Sequence, residues 1–284
     1  MLNTVVAGIL LGGFYAAISV GLSLTFGLLD IVNIAHPIFV ILGSYTAYML
    51  NVGWGFDPIL SSLLMLPVFY LLGVAVYRVY YQSFERVGAE SLRGLVFFFG
   101  ILFLVEVSLI IAYGVDYRFV EAAYIGRSFQ VGQVSVAFRL FIPFVMGLLL
   151  TGFLYLFLAK TFYGKAIMGV AQDSLAVRLM GANPIQLKTI AFGLSIATTS
   201  IAGALLIMIG PVEPSVGRIY IGRVFAIVVL GGMGSVSGTL VASLILGVVE
   251  SLTSVYFGPA WAEAVSFGIL LVVLAIRPAG IFGR

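Results

Sequence analysis

Long apolar runs alternate with short polar connections along the whole chain. They lie near 4–26, 34–50, 58–78, 94–113, 139–159, 189–210, 222–252 and 259–276. Each approaches or exceeds the roughly 20 mostly apolar residues that a helix needs to cross a hydrocarbon core. Inside lipid the backbone must bond to itself, so the runs are expected to be helices. A membrane barrel would instead show alternating strands of about ten residues, and no such pattern occurs. The pattern predicts an all-α polytopic membrane protein of about eight hydrophobic segments. A single transmembrane domain over 1–284 is expected, with no soluble domain attached. The first run has no Lys or Arg before it and is too long for a signal sequence, so it is expected to be retained.

Two interruptions stand out. Leu28 to Pro37 sets Asp30, Asn33, His36 and Pro37 between two apolar runs. Discontinuous helices in opposite halves of a transporter point to a site near the midplane. The competing reading is a surface loop whose Asp30 or Asn33 caps the next helix. The second interruption is Gly231-Gly-Met-Gly-Ser235, inside 222–252, where Gly231, Gly232 and Gly234 permit a half-helix to end. Broken or re-entrant helices are therefore expected near 28–37 and 222–238, an unbroken glycine-rich packing helix being the alternative for the second. No clean sequence repeat relates the two regions.

Charge decides how 222–252 is threaded. Arg78, Arg86, Arg93, Lys160, Lys165, Arg178 and Lys188 share one side; Arg118, Arg127, Arg139, Arg218 and Arg223 share the other. A single crossing at 222–252 adds Arg277 and Arg284 to the second group, giving 7 against 7. If the segment enters and returns, they join the first group, giving 9 against 5. Positive residues accumulate on the cytoplasmic side, which favours entry and return.

Composition narrows the chemistry. Of the residues, 62% are hydrophobic and 9% charged, with a formal net charge of +3; a soluble domain has about 25% charged residues. The absence of cysteine and the single histidine exclude a thiolate zinc site, an iron–sulfur cluster and a multi-histidine metal site. The basic balance reads as loop bias, not nucleic-acid binding. Within the spans Glu106 is the exceptional acid, and an intramembrane acid is a site hypothesis by default.

The loop 160–188 carries most of the functional signal. Asp173 followed by Ser174 to Met180 and closed by Gly181 predicts a short helix with an acidic start and a glycine stop. Leu175, Leu179 and Met180 fall on one face of it. Such a helix suits a groove on a partner, or alternatively the headgroup layer. A phosphate-binding loop needs Gly, four residues, then Gly-Lys-Ser/Thr. The only Gly-Lys pair is Gly164-Lys165, with Ala159 and Ala166 where the first glycine and the hydroxyl should stand.

Gly164-Lys165-Ala166, then Val170-Ala-Gln172-Asp173, then Ala176, Arg178 and Gly181 resemble the cytoplasmic loop of ATP-binding cassette importer permeases of the branched-chain amino acid subgroup (LivH-type). Asn33 to His36 resembles that family's first broken helix, Phe225 to Ser235 its late glycine motif, and Arg277 to Gly283 its C-terminal tail. Pro37 departs from the pattern, standing where the family usually has glycine. The resemblance implies a transport subunit with no catalytic residues and no cofactor of its own. ATP and magnesium would be used by two partner ATPase subunits, contacted through Gly164, Lys165, Gln172, Asp173, Ala176, Arg178 and Gly181. It further implies a homologous second permease, an extracytoplasmic substrate-binding protein, and residence in a bacterial or archaeal cytoplasmic (inner) membrane. The cargo would be a branched-chain or related amino acid, with urea or short amides as alternatives. Candidate pathway residues are Asp30, Asn33, His36, Glu106, Gly231, Gly232 and Gly234. The rival function is an ion-coupled secondary transporter or channel that uses Glu106 and Asp30. Pro211, Glu213, Pro214, Arg218 and Arg223 are candidates to meet the binding protein.

Overall fold

The computed structural model of the protein describes residues 1–87, 91–132, 134–277 and 279–283. Eight helical stretches among them are long and apolar enough to cross a membrane. The helices are α1 (Leu2–Leu28), α2 (His36–Trp54), α3 (Pro58–Ser83), α4 (Ser91–Tyr113), α5 (Phe138–Lys160), α6 (Phe162–Gln172), α7 (Ser174–Leu179), α8 (Pro184–Ile209), α9 (Gly217–Gly231), α10 (Val236–Tyr256) and α11 (Pro259–Ile276). The chain is an all-α polytopic membrane protein.

The contacts fix the direction of each helix. Lys188, at the start of α8, meets Glu85, just after α3, and α6 follows directly on α5. These ends share the face of the 160–188 loop, the candidate coupling loop, hence the coupling-loop face. At the far face, Arg118 pairs with Val212 through two backbone hydrogen bonds of 2.9 and 2.8 Å. Asn51 exchanges two 3.0 Å bonds with the backbone of Glu121. Glycine contacts bring the α1 end at Gly27 to Gly234, and Gly8 to Val248, so α1 and α10 run antiparallel.

Both ends of the fold contain a broken helix of the same design. Residues 29–35 leave α1 at the coupling-loop face and climb back into the protein. There α2 starts with the His36 ring on the carbonyl of Ile18, at 3.0 Å. Ile18 lies ten residues before the α1 terminus, so this start is roughly 15 Å inside it at 1.5 Å per residue. Residues 210–216 leave α8 at the far face and descend in the same way, and Gly217 opens α9 against Ile38 and Ile41 of α2. The arrangement is inverted: α1 and α8 correspond, as do α2 and α9. The largest packed pairs correspond too, α1 on α10 and α8 on α3. The counterpart of the first break is thus 210–216, where Pro211 and Pro214 deny the backbone two donors, and not the glycine cluster at 231–235.

That cluster is nonetheless a true interruption. Gly232 (φ +94°) and Gly234 (φ +81°) occupy the left-handed region between α9 and α10, a conformation cheap for glycine alone. The reversal sits at the coupling-loop face, beside Gly27 and Leu28. Segment 222–252 therefore enters and returns as expected, but by a half-helix followed by a full span. Ile281 and Phe282 then donate to the carbonyls of Leu230 and Gly231 at 2.8 and 3.3 Å. The described part of the tail is on the coupling-loop face, which agrees with the charge tally. Pro278 and Arg284 lie outside the described residues.

Helix contact is closest where side chains are smallest. A Cβ on Gly12 would meet the backbone of Leu244, and one on Gly247 would meet the backbone of Gly12. Between α3 and α8, a Cβ on Gly73 would meet Ile196 and the Cα of Gly193, and one on Gly193 the side chains of Tyr70 and Val74. Lipid gives apolar side chains no incentive to hide, so backbone-to-backbone van der Waals contact and interhelical hydrogen bonds hold such helices together. Three serine hydroxyls on or facing α8 supply those bonds: Ser195 to Gly21 O (2.6 Å), Ser44 to Gly203 O (2.7 Å) and Ser200 to Ser62 O (2.8 Å).

Two elements escape the hydropathy pattern. Residues 128–131 and 134–137 form an antiparallel hairpin, β1 and β2, in the far-face loop. α6 occupies a stretch expected to be loop.

Gly12→Leu places a branched side chain where the α10 backbone stands. Overpacking of this kind costs about 1–3 kcal/mol or more. The temperature at which detergent-solubilised protein loses monodisperse elution is expected to fall by several degrees. Gly53→Leu, which meets nothing within 4 Å, is expected to leave it unchanged. The topology has its own test, because the chain has no cysteine. Tyr117→Cys and Leu179→Cys are expected to react with a membrane-impermeant maleimide from opposite sides, and same-side labelling would contradict the inverted arrangement.

Candidate coupling and translocation site

Residues 162–179 form two short helices joined at one residue, Asp173. The hydroxyl of Thr161 accepts from Gly164 N (3.0 Å) and starts α6. A Cβ on Gly164 would strike the backbone of Phe157 and Leu158, so glycine there lets α6 fold tightly against the end of α5. Gly164, Ile167 and Val170 form its buried face, and Lys165 points out to solvent. Asp173 ends α6 and caps α7, its Oδ1 accepting from Leu175 N (2.9 Å) and Ala176 N (3.0 Å). Such a cap contributes about 1 kcal/mol.

α7 stops as its sequence requires. Gly181 N donates to Arg178 O (3.1 Å) and Ala182 N to Val177 O (3.2 Å). This paired closure needs a left-handed residue at the position after the cap, and Gly181 has φ +84°. Asn183 then caps α8 through Ile185 N and Gln186 N. Val177 is buried against the module, whereas Leu175, Leu179 and Met180 are exposed, Leu179 at 81%. Gln172, Asp173 and Arg178 are exposed as well. A cleft of about 560 Å³ beside α7 is lined by Arg178, Leu175, Arg86 and the Lys188–Glu85 pair. That pair closes to 2.5 Å, and Glu85 also accepts from the Tyr77 hydroxyl at 2.8 Å. The module is thus braced from the α3 side while its apolar face stays open.

The proposed pathway residues separate into three places. Asp30, Asn33 and His36 belong to the first break. Asp30 is exposed with φ +58°. Asn33 is fully buried, and its Oδ1 accepts from Ala35 N (3.1 Å) while its Nδ2 has no partner. His36 is equally buried; a carbonyl opposite Nε2 makes that nitrogen the donor and leaves Nδ1 as an unpartnered acceptor. Pro37 follows in the first turn of α2, where a missing N–H costs nothing. The unpartnered hydroxyls of Ser19 and Ser23 lie on α1, so this half of the interior carries polar groups the helices do not use. Gly231, Gly232 and Gly234 serve the α9–α10 turn and its contact with the tail.

Glu106 is bound elsewhere, by a partner that sequence reasoning had assigned to the surface. Arg218 Nε and Nη2 reach its two oxygens at 3.0 and 2.8 Å, a bidentate, charge-assisted pair. Arg223 is likewise turned inward, with Nε 3.1 Å from Glu250. Glu250 is 3% exposed, so Glu106 has a companion among intramembrane acids. The signal was available: acids inside apolar runs are expected to pair, and Arg218 and Arg223 flank the start of the 222–252 run that holds Glu250.

A family model for the branched-chain amino acid transport system permease component matches residues 4–274. The chain is similar to the high-affinity branched-chain amino acid transport system permease protein BraD of Pseudomonas aeruginosa, 29% identical over 100% of this chain and 96% of that protein. It is similar to LivH of Escherichia coli, 26% identical over 98% and 94%, and to a probable LivH of the archaeon Methanocaldococcus jannaschii, 28% identical over 94% and 87%. No solved structure matches the chain. A match over nearly the whole length, around a capped helix pair and an inverted pair of broken helices, places the chain in the family of branched-chain amino acid transport permeases.

Proposed function

We propose that this chain is the membrane subunit of an ATP-binding cassette importer that carries leucine, isoleucine, valine or a related amino acid into the cell. The observation that carries the reading is α7: capped at both ends, anchored by Val177, and presenting Leu175, Leu179 and Met180 to solvent. An apolar helix face held rigidly outside the bilayer fits a groove on a partner. The partner is a pair of ATPase subunits that hold ATP and magnesium. Closure of that pair moves α6 and α7 as one body. α5 and α8, joined to them without slack, carry the movement into the membrane and alternate the access of the central path. A homologous second permease completes the path, and an extracytoplasmic binding protein delivers the cargo to the far face. The Asn51–Glu121 and Arg118–Val212 contacts give that face a fixed shape. The compartment is the bacterial or archaeal cytoplasmic membrane, with the coupling-loop face inward.

Ion-coupled transport draws no support from the carboxylates. Both oxygens of Glu106 are held by one edge of a guanidinium, and Asp30 sits exposed at the end of α1 rather than within the helix bundle.

Leu179→Asp adds a charge to the exposed face of α7 and touches no buried group. The variant is expected to insert normally, to lose co-purifying ATPase, and to reduce leucine uptake in cells more than tenfold. Ala176→Pro removes the Ala176 N donor to Asp173 and disfavours helix at Leu175; the same loss is expected. Normal uptake by either well-expressed variant would sink the coupling role of α7.

A further inference from the structure

A second charged cluster lies in the far-face half, away from α7. Tyr15 (α1), Arg223 (α9), Glu250 (α10) and Glu263 (α11) converge there from four helices. Glu250 is well occupied: it accepts from the hydroxyls of Tyr15 and Ser266 and from Arg223 Nε. Its work is therefore to orient the guanidinium, which is also stacked 5.5 Å from the Tyr220 ring centre. Arg223 Nη2 stands 3.7 Å from Glu263, beyond hydrogen-bond length. The Glu263 side chain is 53% exposed, that of Arg223 13%. The outer edge of Arg223 and the carboxylate of Glu263 thus keep bonding capacity to spare, side by side.

Both groups line a cavity of about 420 Å³ whose remaining wall includes Leu11, Leu140, Val255 and Ala262. This is within the size range of small-molecule pockets, about 300–1,000 Å³. A guanidinium edge recognises a carboxylate, a free carboxylate recognises an ammonium, and the aliphatic wall takes an alkyl group. We propose that this cavity is a receiving site for the zwitterion of an aliphatic α-amino acid on the far face, with Arg223 taking the carboxylate, Glu263 the ammonium, and Glu250 acting as the positioning residue. This rests on the importer reading and names where the cargo first meets the permease.

The lack of cysteine makes the site testable. Ser254→Cys and Val255→Cys each place one thiol of this chain on the cavity rim. Each variant, assembled with its partners in nanodiscs, is treated with a maleimide and the label on this chain is followed over time. L-Leucine is expected to slow labelling at least fivefold, at a concentration where 3-methylbutylamine and 4-methylpentanoate, which keep only the ammonium or only the carboxylate, change it less than twofold. Glu263→Gln is expected to abolish the protection and Glu263→Asp to retain it. No protection at either position, protection by the amine equal to that by leucine, or protection that survives Glu263→Gln would each overturn the proposal. Leucine uptake by the same assemblies separates the two readings. Uptake without protection removes the cavity and leaves the importer; protection in a chain that binds no ATPase does the reverse.

Discussion

A peptide group surrounded by hydrocarbon has no water to bond, so a helix that stops inside the membrane must be wrapped in protein that completes it. Two helices have such an end at depth, the start of α2 after 29–35 and the start of α9 after 210–216, and the rest of the fold is arranged around them. Ile31 reaches back to the Thr25 carbonyl, Asn33 closes on Ala35, and His36 takes the Ile18 carbonyl. The first and last of these end on α1, and α1 and α8 are the most enclosed of the spanning helices, with 72% and 89% of their most apolar stretch buried. Gly21 leaves room for the His36 ring and Thr198. Gly12, Gly247, Gly73 and Gly193 let α10 and α3 close in behind. The glycines and the broken helices are therefore one device.

Much of this was legible in the residues. Spanning segments announce themselves because lipid tolerates little else, and Asp173 and Gly181 delimit a helix because each supplies a local need, a cap acceptor and a left-handed φ. The break at 28–37 was readable from the polar residues that interrupt an apolar run. What the sequence hid was relational. The inverted pairing of 29–35 with 210–216 involves no shared motif, since one break uses Asp and Asn and the other Gly and Pro. α9 begins at Gly217, five residues earlier than hydropathy suggests, because Arg218 and Arg223 look like loop residues until their acids are found on α4 and α10. α6 escapes hydropathy because it is short and its apolar face is covered by α5 and α8 rather than lipid.

The charged groups divide by depth and by purpose. At the coupling-loop face Lys188 and Glu85 lock α8 to the end of α3, beside the α6–α7 module. Deeper in, Arg218 and Glu106 tie the start of α9 to α4. A partly buried pair of this sort is costly to break, since removal of one partner strands the other charge. Both pairs join elements far apart in sequence: Glu85 and Lys188 are 103 residues apart, Glu106 and Arg218 112.

The contact between residues 279–283 and the α9 terminus has a consequence for biogenesis. The carbonyls of Leu230 and Gly231 receive their donors from Ile281 and Phe282, which leave the ribosome only after α11 has been made. Until then the end of α9 is uncapped and the turn through Gly232 is open on one side. The last two carbonyls of α9 are thus completed only by the segment beyond α11, and a chain cut short after α11 would leave them without these donors.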